Sequence, residues 1–186
     1  MVALIIIAVI LVVVGIWFFS TYNRLVSLRV AADEGKSEID VQLKRRHDLI
    51  PNLVETVKGY ASHERGTFEA VTAARTTAVG AQGVQAQAQA EGALSQALGK
   101  LFAVAEAYPD LKANQNFLQL QGELTATEDR LSAARRFYNT TVKALNTACQ
   151  TIPSKWVAPI AKVTEREFFE LEDPAAESAV PSVSFS

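Results

Sequence analysis

The stretch IDVQLKRRHDLIPNLVETVKGY, residues 39–60, places Ile39, Leu43, Ile50, Leu53, Val57 and Tyr60 at steps of three, four and seven. That spacing lines up one face of a helix. Leu25, Leu28, Ala32 and Gly35 carry the same seam toward the N-terminus, in the manner of a coiled coil. Pro51 removes the N–H that would bond the His47 carbonyl, so a kink is expected near residues 47–51. The helix is nevertheless expected to continue, because the period stays in phase through the proline and Ile50 makes a poor N-cap. An all-α fold follows.

Working outward, Met1–Phe19 is uncharged and almost wholly apolar. At a rise of 1.5 Å per residue it extends about 28 Å, close to the hydrocarbon thickness of a bilayer. It lacks the basic start and A-x-A-like exit of a cleaved signal peptide, and no early cysteine marks a lipoprotein. Trp17, Phe18, Phe19 and Tyr22 fall where an aromatic belt meets the headgroups. Residues 1–20 are therefore expected to form a single transmembrane helix that continues into the bundle. Arg24, Arg29 and Lys36 follow it, which predicts an outside N-terminus and a domain facing the cytoplasm from the inner (cytoplasmic) membrane.

Toward the C-terminus the first helix is expected to reach about Val79. Residues 76–92, TTAVGAQGVQAQAQAEG, hold no large apolar side chain other than valine and a single charge, and predict an inter-helix loop. Leu94, Leu98, Leu101, Ala105 and Tyr108 then define a short second helix that Pro109 stops, with Asp110 placed to cap the third. The third helix carries Phe117, Leu120, Leu124, Leu131, Tyr138, Val142, Leu145, Cys149 and Ile152 in one stripe, closed by Pro153. Residues 21–152 thus outline a long antiparallel bundle of three main helices. In residues 153–186, Trp156, Val157, Ile160 and Val163 lead to Phe168 and Phe169, and the aromatics are expected to dock on the bundle, with the membrane surface as the other site. Glu170, Glu172, Asp173 and Glu177 make the tail acidic.

Ionisable residues occupy three seam positions: Arg46, Glu128 and Arg135. A buried arginine needs a carboxylate. The predicted pairs are Arg46 with Glu128, and Arg135 with Glu55 or Glu123, and their expected role is to set helix register. Lys44 and Arg45 are expected in solvent. Beyond the span the first helix would measure about 85 Å and the third about 60 Å, so the first should project. Its stripe Leu25, Leu28, Ala32 and Gly35 would then be uncovered, and an uncovered apolar stripe marks an interface. A homo-oligomer or a second membrane protein is the expected occupant, beside the lipid bilayer itself.

The chain has 186 residues, with 18 Lys and Arg against 20 Asp and Glu, a balance that points away from nucleic acid. Its one cysteine, Cys149, has no internal disulfide partner and is expected in the core. A carboxylate-bridged metal pair in a bundle needs Glu-x-x-His, but Lys44 and Tyr60 stand three residues before His47 and His63. No H-E-x-x-H, G-x-S-x-G or phosphate-binding loop occurs. No catalytic residue, metal or cofactor is predicted.

The ordered pattern resembles the LemA family. The resemblance rests on residues 39–60, on Tyr22-Asn23 with Leu25-Val26, on Tyr108 to Asn114 (YPDLKAN), on Glu123-Leu124, on Glu128 with Arg130, on AARRFYN at 133–139 and on VPSVSF at 180–185. It covers nearly the whole chain. It implies a membrane-anchored helical bundle without an agreed reaction. Members of the family include one associated with intracellular membrane formation and others encoded near membrane proteases or TPM-domain proteins, which makes a protease or TPM-domain protein an expected partner. Many relatives carry tryptophan where this chain has Lys36, so the packing role of that aromatic does not carry over. The expected function is a non-enzymatic scaffold or adaptor presenting a cytoplasmic bundle. The alternative is a self-assembling structural protein that organises or shapes membrane.

Overall fold

The fold, from a computed structural model, is described for residues 1–170. Glu172, Asp173, Glu177 and the closing VPSVSF lie outside the described residues. The elements are α1 (Val2–Lys58), α2 (Arg65–Gly80), α3 (Val84–Glu106), α4 (Pro109–Lys112), α5 (Gln115–Gln150) and α6 (Ser154–Val157). The protein is all-α, with no strand among the described residues.

Helix α1 runs 57 residues and passes through Pro51. None of residues 2–19 is buried, and this helix is long and apolar enough to cross a membrane. The chain reads as a membrane-anchored protein.

The helix-one boundary and the 76–92 loop are corrected. Helix α1 ends at Lys58, where Gly59 follows and the Tyr60 N–H steps back to the Val57 carbonyl at 3.0 Å, tightening the last turn. Glycine weakens a helix by about 1 kcal/mol relative to alanine. Residues 65–80 then form a separate helix instead of prolonging α1. Most of 76–92 is helical as well, since alanine and glutamine favour helix even without bulky apolar neighbours. The turn is only Ala81–Gly83, and Gly83 supplies the positive φ of 86°. Among the described residues the long helices therefore number four, not three. At the start of α5, the Asn114 side chain accepts the Phe117 N–H at 3.1 Å, so the cap is Asn114 rather than Asp110.

The chain divides into two units. One comprises Gln42–Arg130 with Phe169 and Glu170. Its core joins Ile50, Leu53 and Val57 of α1, Phe68 and Val71 of α2, Leu94, Leu98 and Leu101 of α3, and Phe117 and Leu124 of α5. Burying each such side chain contributes about 1.5–3 kcal/mol. Helix α2 turns back along α1, and the small residues Ala78, Ala88 and Ala90 are buried where larger ones would hold the helices apart.

The other unit comprises Met1–Val41 with Leu131–Phe168. A Cβ added to Gly35 would lie 3.1 Å from Phe137 Cδ1 and 3.2 Å from Tyr138 Cα, so α1 and α5 meet there almost backbone to backbone. Leu25, about 15 Å earlier on α1 by helical rise, is only 1% exposed. Gly35 meets Tyr138 while Asp33, two residues earlier, meets Arg166 held on Asn146, eight residues later on α5, so the two helices run antiparallel. The expected open stripe is thereby corrected: Leu25, Ala32 and Gly35 are buried and Leu28 is half-buried. The C-terminal part of α5 and the segment after it lie where a second molecule was expected.

That later segment is held by polar bonds. The Asn146 amide donates to the Arg166 carbonyl at 2.8 Å, and its oxygen accepts the Arg166 N–H at 2.9 Å. Tyr138 Oη donates to the Glu167 carbonyl at 2.9 Å, and Arg166 Nη1 reaches Asp33 at 2.6 Å. Of the aromatics expected to dock, Phe169 is buried while Trp156 is 65% exposed and Phe168 is also exposed; Val157 and Val163 are buried and Ile160 is 59% exposed. Cys149 is half-buried, and burial followed by the Glu165 carboxylate pushes its thiol up from the ordinary value.

Candidate functional site: a buried arginine, histidine and glutamate

Arg46 and His47 are consecutive residues of α1, both buried within the Gln42–Arg130 unit. Glu91, on α3, is 1% exposed and lies against both. Arg46 Nη1 stands 3.2 Å from Glu91 Oε2, and His47 Nε2 stands 2.6 Å from Glu91 Oε1. A carboxylate paired with arginine only accepts, so the proton of this last bond sits on His47 Nε2. Arg46 Nη2 also donates to Ser95 Oγ at 2.6 Å, one helical turn beyond Glu91.

The Glu128 carboxylate of α5 lies 3.5 Å from Arg46 Nη1, with its side chain 44% exposed. Helix α2 joins through Arg75, whose Nε donates to the His47 carbonyl at 2.7 Å. All four long helices thus converge on two adjacent residues. Charged hydrogen bonds of this kind are short and directional.

The structure brings Arg46 and Glu128 together, but Arg46 has a shorter contact with a partner that sequence reasoning missed. Glu91 was assigned to a loop. Its signal was nonetheless present, since it is the lone charge of residues 76–92 and stands three residues before Leu94 in the stripe Leu94, Leu98, Leu101. The remaining residues of the expected pairs make other contacts. Glu123 lies 3.9 Å from Arg45, Glu55 lies 3.5 Å from Lys58 one turn away, and Arg135 Nη2 donates to Ser132 Oγ at 3.2 Å.

Arg46, His47 and Glu91 are buried, whereas Glu128 reaches solvent. Two open clefts, one lined by Thr77, Gly80, Ala81, Ala86, Gln89 and Ala90 and the other around Tyr60, Asp110 and Asn114, include none of its residues. Among the described residues no group of three His, Cys, Asp or Glu side chains is arranged to hold a metal.

The chain is similar to magnetosome proteins MamQ 2 and MamQ 1 of Paramagnetospirillum magneticum, each 26% identical over 185 aligned residues covering 86% of this chain and 68% of the relative. It is also similar to protein LemA of Metamycoplasma hominis, 26% identical over 149 aligned residues covering 78% of this chain and 68% of that protein. The LemA family model matches residues 35–185, a span that contains the α1–α3–α5 cluster and the segment closing over Gly35. With that match over most of its length, the chain belongs to the LemA family.

Proposed function

We propose that this protein is a non-enzymatic scaffold or adaptor, anchored by residues 1–20 and presenting its helical bundle to the cytoplasm. The observation that carries this reading is that Arg46, His47 and Glu91 satisfy one another inside the bundle, away from the clefts around Thr77 and Ala90 and around Tyr60 and Asn116. Their reactive groups are engaged in holding helices, which leaves outward helix faces as the surfaces available for work. Arg24 and Arg29 behind the span support the cytoplasmic side. The partner on this reading is a second membrane protein, a membrane protease or TPM-domain protein among the candidates.

The likeness to proteins named for the magnetosome favours a second reading, a structural protein that assembles in many copies to organise membrane. Stoichiometry separates the two. The mass of the full-length protein, extracted with its surrounding lipid and analysed particle by particle, is expected to show a small complex of fixed ratio with a different protein. A large assembly of this chain alone would replace the adaptor with the structural reading, and a reporter active only outside the cytoplasm, fused to the C-terminus, would overturn the orientation.

A further inference from the structure

Three large apolar side chains stand exposed just after α5: Ile152 at 68%, Trp156 at 65% and Ile160 at 59%. They are four residues apart, and the backbone between them is wound in near-helical turns. Lys155 N–H bonds the Thr151 carbonyl at 2.8 Å, Ala158 that of Ser154 at 3.0 Å, and Ala161 that of Val157 at 3.0 Å. Spacing of four in such turns places Trp156 and Ile160 on one side, and Ile152 is exposed just before them. Val157, Ala158 and Ala161 are buried on the other. The turn is therefore amphipathic with its larger apolar groups facing out, the reverse of what water favours.

Its level along the unit identifies what faces it. Gly35 lies against Tyr138 and Asp33 meets Arg166, which is held on Asn146, so the two helices run antiparallel. From Tyr138 to Gln150 α5 advances about 18 Å, and the same distance back along α1 from Gly35 ends near Asn23. Residues 151–162 thus begin where the apolar span gives way to Phe19 and Tyr22. Their charges fit that level, because TIPSKWVAPIAK carries Lys155 and Lys162 and no acid, and both lysines are exposed. Tryptophan and snorkelling lysine are the side chains that suit the headgroup layer, and basic residues there are attracted to anionic lipid.

We infer that residues 151–162 form a second lipid contact, in which Ile152, Trp156 and Ile160 enter the interfacial layer of the bilayer that α1 crosses while Lys155 and Lys162 meet lipid phosphates. The inference rests on α1 being the anchor. With a span at one point and this turn at another, the unit is held to the membrane at two places, which restrains swivelling about the α1 axis.

Depth-dependent quenching in vesicles of phosphatidylcholine and phosphatidylglycerol tests it. The chain has two tryptophans, so full-length Trp17→Phe reports on Trp156 alone and full-length Trp156→Phe reports on Trp17 in the span. Lipids brominated near the headgroup end of the acyl chains are expected to remove most Trp156 emission, and lipids brominated near the chain ends much less. Ile152→Asp with Ile160→Asp, added to Trp17→Phe, is expected to shift Trp156 emission to the red and abolish its quenching at unchanged helical content. If Trp17 is quenched and Trp156 is not, the turn lies in water and the inference falls while the anchor stands. If neither is quenched, α1 is not in lipid and both fall.

Discussion

The Arg75 side chain donates from Nε to the main-chain carbonyl of His47 at 2.7 Å, one turn before Pro51. In an unbroken helix that carbonyl would receive the N–H of residue 51, which proline lacks. A side chain from α2 supplies the missing donor. The bond explains how α1 passes through Pro51, and it ties the place where the backbone lost a partner to the helix that packs against it.

Removing that donor should therefore cost more than a surface arginine. Arg75→Met is expected to destabilise the protein by about 1–3 kcal/mol, the penalty for an orphaned buried acceptor. In a Pro51→Ala background, where the backbone N–H returns, the same change should cost clearly less. Thermal unfolding of the full-length parent and the three variants in detergent measures the coupling, and equal losses in both backgrounds would show that the two residues act independently.

Glu91 and Glu128 both face Arg46 but differ in exposure, with side chains 2% and 44% accessible. Glu91→Ala leaves Arg46 buried without its main partner and is expected to cost on the order of 3–5 kcal/mol. Glu128→Ala, at a solvent-screened position, is expected to cost under about 1 kcal/mol. Arg46→Met combined with Glu91→Met should recover much of the loss, since the desolvated charges disappear together. Denaturant midpoints rank these variants, and a Glu128 effect equal to that of Glu91 would contradict the assignment.

At Gly35 two effects oppose each other. Gly35→Ala gains up to about 1 kcal/mol of helix propensity. Its Cβ would sit 3.2 Å from the Tyr138 main chain, which cannot swing aside as a flexible side chain could. A net change within about 1 kcal/mol is expected, whereas Gly35→Leu should lose about 1–3 kcal/mol or more by overpacking. The melting temperatures of the two variants decide it, and a leucine variant as stable as the parent would mean that α1 and α5 separate freely there.

Burial, opposed by Arg166 and aided by Glu167 and Asp33, pushes the Tyr138 phenol above its ordinary value of 10.0. The protonated form is the one that bonds the Glu167 carbonyl. Its contribution is fully present below pH 10.0 and is lost as pH rises through the higher value of the folded state. Tyr138→Phe is expected to lower stability by about 1 kcal/mol at neutral pH and to flatten the alkaline decline. Melting temperatures of both proteins, followed from about pH 8 to about pH 11, check the difference.

Much of the candidate cluster was legible in residues that break a pattern. Arg46 stands in the seam between Leu43 and Ile50, and Glu128 interrupts the stripe between Leu124 and Leu131. Glu91 broke a pattern too weak to notice, because its helix packs through alanines and its small neighbours look like a loop. Asn114 and Gly83 were open to the same local logic as Asp110, and the choice among them depends on where the chain turns rather than on residue type.

From the sequence alone came the all-α class, the apolar N-terminal helix and the passage of α1 through Pro51. These depend on contacts between residues three or four apart, and such contacts leave a period in the chain. Only the tertiary structure decided that Leu25 and Gly35 are covered from within, and that Arg46 meets Glu91 at a separation of 45 residues. Such pairings are fixed by where helices turn back and how closely they approach, and a periodic stripe says only that a face will be buried, not what will bury it.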